Sequence, residues 1–315
     1  MANLSTLPYE HPTTIVLVDD DKGFLKSFSL AIHREGSVKT FSSPDSAARE
    51  IKAQGEVLAG FIPNHGLPRL GDPGRFELFS VLVTDYEMDA MNGVELCERI
   101  GSSPVGRILL TGKVDERYAV RAFNDDVIDR YVRKDDPEMI ELVKKYILEL
   151  KQEFFRRTAS SLSETQQQER ARLLADPIFG DYFERSRREN GVVEYYLSSL
   201  FPGFLMLDAE GDMLVFAVLT ERQLAEHIEV AENANAPKEL LELLRAGLVI
   251  PFFPTDGGLY SPEFVDTWKN WAFTANTIEG KKRYYHSVVS GPAAHATFSN
   301  RPVFPYNQYL REQGA

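Results

Sequence analysis

The sequence predicts an α/β chain in which a doubly wound parallel sheet is followed by a separate α+β domain. Short apolar runs alternate with helix-forming segments five times between residues 13 and 136. Two of these runs, residues 15–18 and 81–83, are followed closely by aspartates. From Pro137 the pattern changes, and 315 residues is long for a single domain, so we expect two domains.

Each element of the first half follows from its own pattern. Strands are expected at residues 13–18, 38–41, 78–84, 107–111 and 127–132, which are short apolar runs. Helices are expected at residues 23–33, 42–52, 94–100 and 115–123, where apolar positions recur at helical spacing or a capping residue opens the segment. Because strand and helix alternate, the strands should be parallel and joined by right-handed crossovers.

Three further segments set the domain boundaries. Residues 1–12 contain two prolines and are expected to form a loose extended arm. Residues 60–77 are rich in proline and glycine and predict a long insertion in a sheet domain of residues 13–136. This insertion is either a tolerated surface loop or a cover for a partner or dimer surface. Residues 176–315 form the expected α+β domain.

A long helix is predicted between the two domains, over residues 137–175. Its apolar residues are spaced alternately three and four positions apart, and they are Ile140, Val143, Ile147, Leu150 and Phe154. They could bury one face of the last helix against the sheet. A helix that continues to residue 175 would instead project beyond the sheet and pair with a second copy, so a homodimer through residues 137–175 is expected.

Composition excludes several classes of protein. The formal net charge is -12, which argues against non-specific binding to nucleic acid or to anionic membranes. A single cysteine, Cys97, rules out an intramolecular disulfide bond. No apolar stretch reaches the roughly 18 residues of a membrane span, and the first residues lack the pattern of a signal peptide. A cytoplasmic protein is therefore expected.

Acidic residues follow two of the predicted strands. Asp19 and Asp20 come directly after residues 15–18, and Asp85 comes two positions after residues 81–83. Because the carboxyl ends of parallel strands share one edge of the sheet, these carboxylates should lie close together. Several buried acids need a cation, and oxygen ligands of this kind favour Mg²⁺.

Further residues stand at matching places along residues 13–150. Gly93 lies eight positions after Asp85, Thr111 ends the fourth strand, Tyr131 lies in the fifth strand and Lys134 follows it. Together with the three aspartates, this part of the chain resembles the receiver domain of two-component response regulators. The resemblance implies a flavodoxin-like fold, with five parallel strands in the order 2-1-3-4-5.

The resemblance also implies roles for the acidic residues and the lysine. Asp85 would be the phosphoacceptor, and Mg²⁺ would be held by Asp20, Asp85 and the backbone carbonyl of Glu87. Asp19 would join the metal site mainly through water. Lys134 would place a positive charge on the phosphoryl oxygens.

The same resemblance implies a switch and a set of partners. The Thr111 hydroxyl would bind the phosphoryl group, and Tyr131 would turn inward after it. The donor would be a sensor histidine kinase or a small phosphodonor. Nucleic acid and membranes are not expected as partners.

Several positions depart from the usual receiver pattern. Asp89 and Asp135 stand where proline is usual. Asp135 and Asp136 could compete with phosphate for Lys134, which would reduce phosphorylation. Glu87 and Lys113 stand two positions beyond Asp85 and Thr111, and their opposite charges are hypothesised to pair and slow hydrolysis of the phosphoryl group.

The second domain offers less specific signals. Residues 203–216 predict a hairpin that weakly resembles the opening of a PAS-type sensory domain. Helices are expected at residues 221–231 and 237–246, and strands at residues 248–253 and 283–290. His227, His286 and His295 are interpreted as core or surface residues, and residues 280–283 as a solvated basic turn.

Two functions remain open from the sequence. The first is a phosphorylation-controlled response regulator whose C-terminal domain does not bind DNA but binds a protein partner or dimerises. The alternative is a receiver-controlled enzyme whose C-terminal domain acts on a nucleotide or other small signalling molecule. The first is favoured because no assembled catalytic motif was found in residues 176–315, and no enzyme activity beyond self-phosphorylation and dephosphorylation of the receiver is predicted.

Overall fold

The chain divides into two compact units in a computed structural model. The structure describes residues 6–61, 69–112, 116–159, 172–198, 200–298 and 301–313. The parallel-sheet unit contains the described residues within 12–61 and 73–159, and the antiparallel-sheet unit contains those within 6–11, 69–72 and 172–313.

The elements are as follows. The strands are β1 (Tyr9–Glu10), β2 (Thr14–Val18), β3 (Ser37–Phe41), β4 (Phe79–Asp85), β5 (Gly106–Thr111), β6 (Arg130–Arg133), β7 (Val192–Leu197), β8 (Gly203–Asp208), β9 (Met213–Thr220), β10 (Val249–Pro251), β11 (Ala272–Thr274), β12 (Asn276–Glu279) and β13 (Arg283–Ser290). The helices are α1 (Lys22–Ile32), α2 (Pro44–Phe61), α3 (Gly93–Ile100), α4 (Glu116–Asn124), α5 (Met139–Ala159), α6 (Pro177–Glu189), α7 (Glu221–Asn233), α8 (Lys238–Arg245), α9 (Pro292–Phe298) and α10 (Tyr306–Glu312).

The parallel-sheet unit has the predicted flavodoxin-like architecture. Its five strands lie in the order β3-β2-β4-β5-β6 and every neighbouring pair is parallel. Helices α1 and α5 pack on one face of the sheet, and α2, α3 and α4 pack on the other. Strand β4 is buried along its whole length, as expected for a central parallel strand covered on both faces.

Helix α2 is longer than the sequence indicates. It was expected to end near Lys52 but continues to Phe61. The first residues of the predicted insertion at residues 60–77 are therefore helical. Residues 62–68 lie outside the described residues, and Pro73–Phe76 form a short 3-10 helix. The helix tolerates Gly55 and Gly60, and the first proline after its start is Pro63, beyond its end, which explains the difference.

Helix α5 uses its apolar seam inside the parallel-sheet unit. Val143, Ile147 and Leu150 are at most 2% exposed and pack against the sheet, and Phe154 is buried as well. Only Ile140 of the predicted seam is exposed. The seam thus buries one face of the last helix, whereas the continuation over residues 160–171 lies outside the described part of the chain.

The antiparallel-sheet unit is built on a six-stranded sheet in the order β1-β7-β8-β9-β13-β12. The predicted hairpin is present as β8 and β9, which pair antiparallel. A cluster of aromatic side chains covers one face of the sheet, and it includes Phe179 and Phe183 of α6 and Phe204 and Phe216 of the hairpin. Strands β10 and β11 form a separate two-stranded sheet.

Two segments expected elsewhere belong to this unit. Residues 1–12 were expected to be a loose arm, but Tyr9–Glu10 pair with β7 as an edge strand, and the Leu197 amide donates to the carbonyl of Pro8 at 2.7 Å. From the predicted insertion, Leu70 is buried and its carbonyl accepts from the Phe304 amide at 2.9 Å. Both segments therefore have fixed structural partners.

Two of the three histidines interpreted as core or surface residues lie in the core, and the third lies at the surface. His227 and His286 are buried, and burial lowers the pKa of each to about 4. His295 is exposed. The turn at residues 280–283 is tied down on one side, because the Lys281 amide donates to the buried carboxylate of Asp176 at 2.6 Å.

Candidate active site at the carboxyl edge of the parallel sheet

Four residues reach the same edge of the parallel sheet from four different strands. Asp19 follows β2, Asp85 ends β4, Thr111 ends β5 and Lys134 follows β6. The parallel register aligns these strand ends, since Asp85 is level with Leu110 and Thr111 with Arg133. Asp19, Asp85 and Thr111 are all buried there.

Lys134 lies at the centre of this group. Its Nζ atom is 2.8 Å from Oδ2 of Asp85 and donates a hydrogen bond to Oδ2 of Asp19 at 2.9 Å. One ammonium group therefore joins two carboxylates from separate strands. The structure brings together three of the residues that the sequence singles out.

Asp20 and Glu87 lie at the rim and are exposed. The Oδ2 atom of Asp20 accepts a hydrogen bond from the Asp89 amide at 3.2 Å, which links the end of β2 to the loop after β4. Asp21, by contrast, is a helix cap, because its carboxylate accepts from the amides of Gly23 and Phe24 at the start of α1.

Burial and neighbouring charges shift the pKa values of Asp85 and Lys134. Burial raises the pKa of the Asp85 carboxyl group; the hydrogen bond and charge of Lys134 oppose this shift, and the charge of Asp19 adds to it. Burial lowers the pKa of Lys134, but hydrogen bonds and charges from Asp85 and Asp19 outweigh it, so its pKa is raised. Lys134 is therefore protonated and positively charged at neutral pH.

Thr111 and Tyr131 flank the pocket in different ways. The Oγ1 atom of Thr111 is buried and has no hydrogen-bond partner among the described residues. Tyr131 is half-buried and packs edge-on against Phe123 of α4, with ring centroids 6.3 Å apart. A buried hydroxyl without a partner is costly, so this atom is a candidate ligand-binding group.

Comparison with known proteins gives the chain a family. No protein-family model matches it. The solved response regulator LqsR of Legionella pneumophila is 30% identical, with a TM-score of 0.81, over 98% of this chain and 96% of that one. The chain belongs to the response regulators. Receiver domains from Clostridium thermocellum and Methanospirillum hungatei JF-1 are also similar, at 19% and 23% identity.

These two shorter matches cover only part of the regulator. They span 46% and 45% of this chain and 95% and 98% of their own, with TM-scores of 0.35 and 0.31. The parallel-sheet unit of the regulator has the receiver fold, and the match to LqsR extends over the antiparallel-sheet unit as well. Nothing in the comparisons supports the PAS-type resemblance, which stays a prediction.

The donor chemistry of the receiver pocket suits Mg²⁺. Among the described residues there is no group of three or more histidine, cysteine, aspartate or glutamate side chains placed to hold a metal ion. Mg²⁺ needs fewer, because it usually keeps several waters and takes one or two carboxylates. Asp20, Asp85 and the backbone carbonyl of Glu87 would supply such a set of oxygens.

The structure corrects one expectation about Lys134. The sequence left open that Asp135 and Asp136 compete with phosphate for it, but the Asp135 carboxylate receives two hydrogen bonds from Arg133, at 2.9 and 2.8 Å. Asp136 accepts from the amide of Glu138. Both acids are thus turned to local partners, while Lys134 contacts Asp19 and Asp85. Lys113 of the predicted Glu87–Lys113 pair lies outside the described residues.

Two aromatic contacts near the pocket are not apparent from the sequence. The Phe24 ring lies beneath Lys134, with Nζ 4.7 Å from its centroid. Tyr86, next to Asp85, stacks on Tyr118 of α4 at 6.0 Å. Both residues look like ordinary helical or loop positions in the sequence, so no local signal distinguishes them.

No helix among the described residues is both long and apolar enough to cross a lipid bilayer.

Proposed function

We propose that this response regulator accepts a phosphoryl group on Asp85 and passes the change to its C-terminal unit. One observation carries the proposal: the buried carboxylate at the end of β4 lies 2.8 Å from the Lys134 ammonium group. A nucleophile and a cation are thus held side by side at the sheet edge where α/β folds bind their ligands.

The proposed reaction is a phosphoryl transfer. An oxygen of Asp85 forms a bond to phosphorus while the bond from phosphorus to the donor breaks, and the donor leaves with the electron pair of that bond. A phosphohistidine of a sensor kinase or a small acyl phosphate would serve as donor. Bound Mg²⁺ would offset negative charge on the phosphoryl oxygens.

Residues of the chain would supply the other interactions. Lys134 can donate to a phosphoryl oxygen while it keeps its hydrogen bond to Asp19. Thr111 can donate its buried hydroxyl, which has no partner among the described residues, to another oxygen. That hydrogen bond would pull the end of β5 inward, and Tyr131 on β6 would adjust beside it.

The partner of the C-terminal unit remains a prediction. We favour a protein partner or a second copy of the chain. The seam of α5 is already buried in the receiver, so a dimer through this helix would have to use its exposed residues, such as Leu148, or residues 160–171. Light scattering before and after phosphorylation tests this prediction, and an unchanged monomer mass would contradict it.

Phosphorylation itself can be tested by intact mass. The wild-type chain, incubated with acetyl phosphate and Mg²⁺, should gain the mass of one phosphoryl group. Asp85→Asn should gain none, because the amide is not a nucleophile for this transfer. Asp20→Asn and omission of Mg²⁺ should each slow the gain strongly. An equal gain in the Asp85→Asn variant would overturn the proposal.

A further inference from the structure

Four residues at the receiver pocket contact one another in a closed circuit. The Asp21 amide donates to Oδ1 of Asp19 at 2.8 Å, and Oδ1 of Asp21 accepts from the Phe24 amide at 3.2 Å. The Phe24 ring faces the Lys134 ammonium group, and Lys134 returns to Oδ2 of Asp19. Each of the four residues is therefore held in place by the next one in the circuit.

The Phe24 ring is itself fixed in place. Its backbone lies in the first turn of α1, which is capped by Asp21, and its ring stacks on Phe28 with centroids 5.0 Å apart. Phe28 is only 3% exposed and belongs to the core between α1, α5 and the sheet. The Phe24 ring is partly buried and packs against that core.

Lys134 needs such support because it is not fully buried. Its side chain is 31% exposed, whereas those of its partners Asp19 and Asp85 are 1% and 10% exposed. A flexible lysine at such an opening could otherwise move its ammonium group into water. An aromatic face close to the ammonium group attracts it and shields one side of it from solvent.

We propose that Phe24 is a positioning residue that holds Lys134 over Asp85. It does not touch the reacting atoms. It keeps the ammonium group where the phosphoryl oxygens will arrive, on the side of the pocket formed by the start of α1. The consequence for phosphoryl transfer rests on the proposed function of Asp85, but the effect on Lys134 does not.

The test compares Phe24→Leu with Phe24→Tyr in the full chain. Leucine keeps an apolar side chain but removes the ring, while tyrosine keeps the ring face. Each variant is treated briefly with an amine-acetylating reagent, and labelling of each lysine is measured by peptide mass. The reagent must reach the Nζ atom to react, so the labelling rate reports how often this atom leaves its contacts in the pocket. Lys145, which is 67% exposed on α5, serves as an internal reference.

In Phe24→Leu we expect Lys134 to be labelled about threefold to tenfold faster, the range that one cation–aromatic contact supports. In Phe24→Tyr the rate should match the wild type, and Lys145 should be unchanged in both. If Phe24→Leu also lowers the midpoint of thermal unfolding by more than about 5 °C, the domain has loosened, and Phe24→Met then replaces it. Equal labelling of Lys134 in wild type and in the folded ring-less variant would overturn the proposal.

A second measurement links the ring to the reaction. With acetyl phosphate and Mg²⁺, Phe24→Leu should gain its phosphoryl group about threefold to tenfold more slowly, and Phe24→Tyr should be close to wild type. In a Lys134→Met background the difference between leucine and phenylalanine should vanish. If wild type gains no phosphate, the proposed function of Asp85 fails, while the labelling result still decides whether Phe24 holds Lys134.

Discussion

The hydroxyl group of Thr111 is assigned a role in the proposed function, but it makes no hydrogen bond with the described residues that would stabilise the fold. The residue is fully buried at the end of β5, and its Oγ1 atom has no partner among the described residues. Thr84, at the end of the neighbouring strand β4, is equally buried, but its hydroxyl donates to the carbonyl of Asp85 at 3.1 Å. The two threonines thus differ mainly in whether the hydroxyl is satisfied.

We therefore expect the same substitution to act differently at the two sites. Thr111→Val removes an unsatisfied polar group and should leave the free energy of unfolding unchanged or raise it by about 1 kcal/mol. Thr84→Val removes a made hydrogen bond and should lower it by about 1 kcal/mol. Urea unfolding of the unphosphorylated chain measures both. Equal losses at the two positions would mean that the Thr111 hydroxyl already has a partner.

At the scale of elements, one buried carboxylate joins a helix to a hairpin. Asp176 is 0% exposed, caps α6 through the Ile178 amide at 3.1 Å, and accepts from the Tyr284 hydroxyl at 3.0 Å and from the Lys281 amide. Gly280 must approach this carboxylate closely, because a Cβ atom there would lie 2.4 Å from Oδ2. The turn between β12 and β13 is thereby fixed to the start of α6.

Asp176→Ala should destabilise the antiparallel-sheet unit by about 2–4 kcal/mol, since several buried donors lose their acceptor together. Asp181→Ala, at an exposed position of the same helix, is the matched control and should change stability by less than about 0.5 kcal/mol. Denaturant unfolding followed by the fluorescence of Trp268 and Trp271, both in this unit, measures the difference. A similar small loss for both variants would contradict the role assigned to Asp176.

At the scale of the whole molecule, the sequence predicts what depends on local pattern and misses what depends on distant pairing. An apolar run followed by an acid marks Asp19 and Asp85, so the receiver fold and most of its pocket could be predicted. Phe24 could not, because its spacing equally suits a core position of α1. Strand β1 could not either, since two residues carry no strand pattern and are held only by pairing with β7.

The N-terminal arm therefore has a predictable role in stability. In addition to the pairing of β1 with β7, Leu7 and Tyr9 of the arm are buried. Glu10 lies 3.1 Å from the Arg187 guanidinium group on α6. Removal of residues 1–11 should expose the edge of β7 and lower the midpoint of thermal unfolding of the antiparallel-sheet unit by about 5 °C or more. Removal of residues 1–5 alone is the control, since it leaves the residues of β1 that pair with β7 in the chain.

A synthetic peptide of residues 1–12, added to the shortened chain, should restore part of the lost stability, because ligands that bind only the folded state raise its midpoint. Light scattering should show aggregation of the shortened chain that the peptide suppresses, since an open strand edge can pair with another chain. If both truncations melt at the wild-type temperature, β1 contributes nothing to the C-terminal unit. An isolated fragment of residues 176–315 would lack β1 too, so ligand tests of that unit should use the full chain.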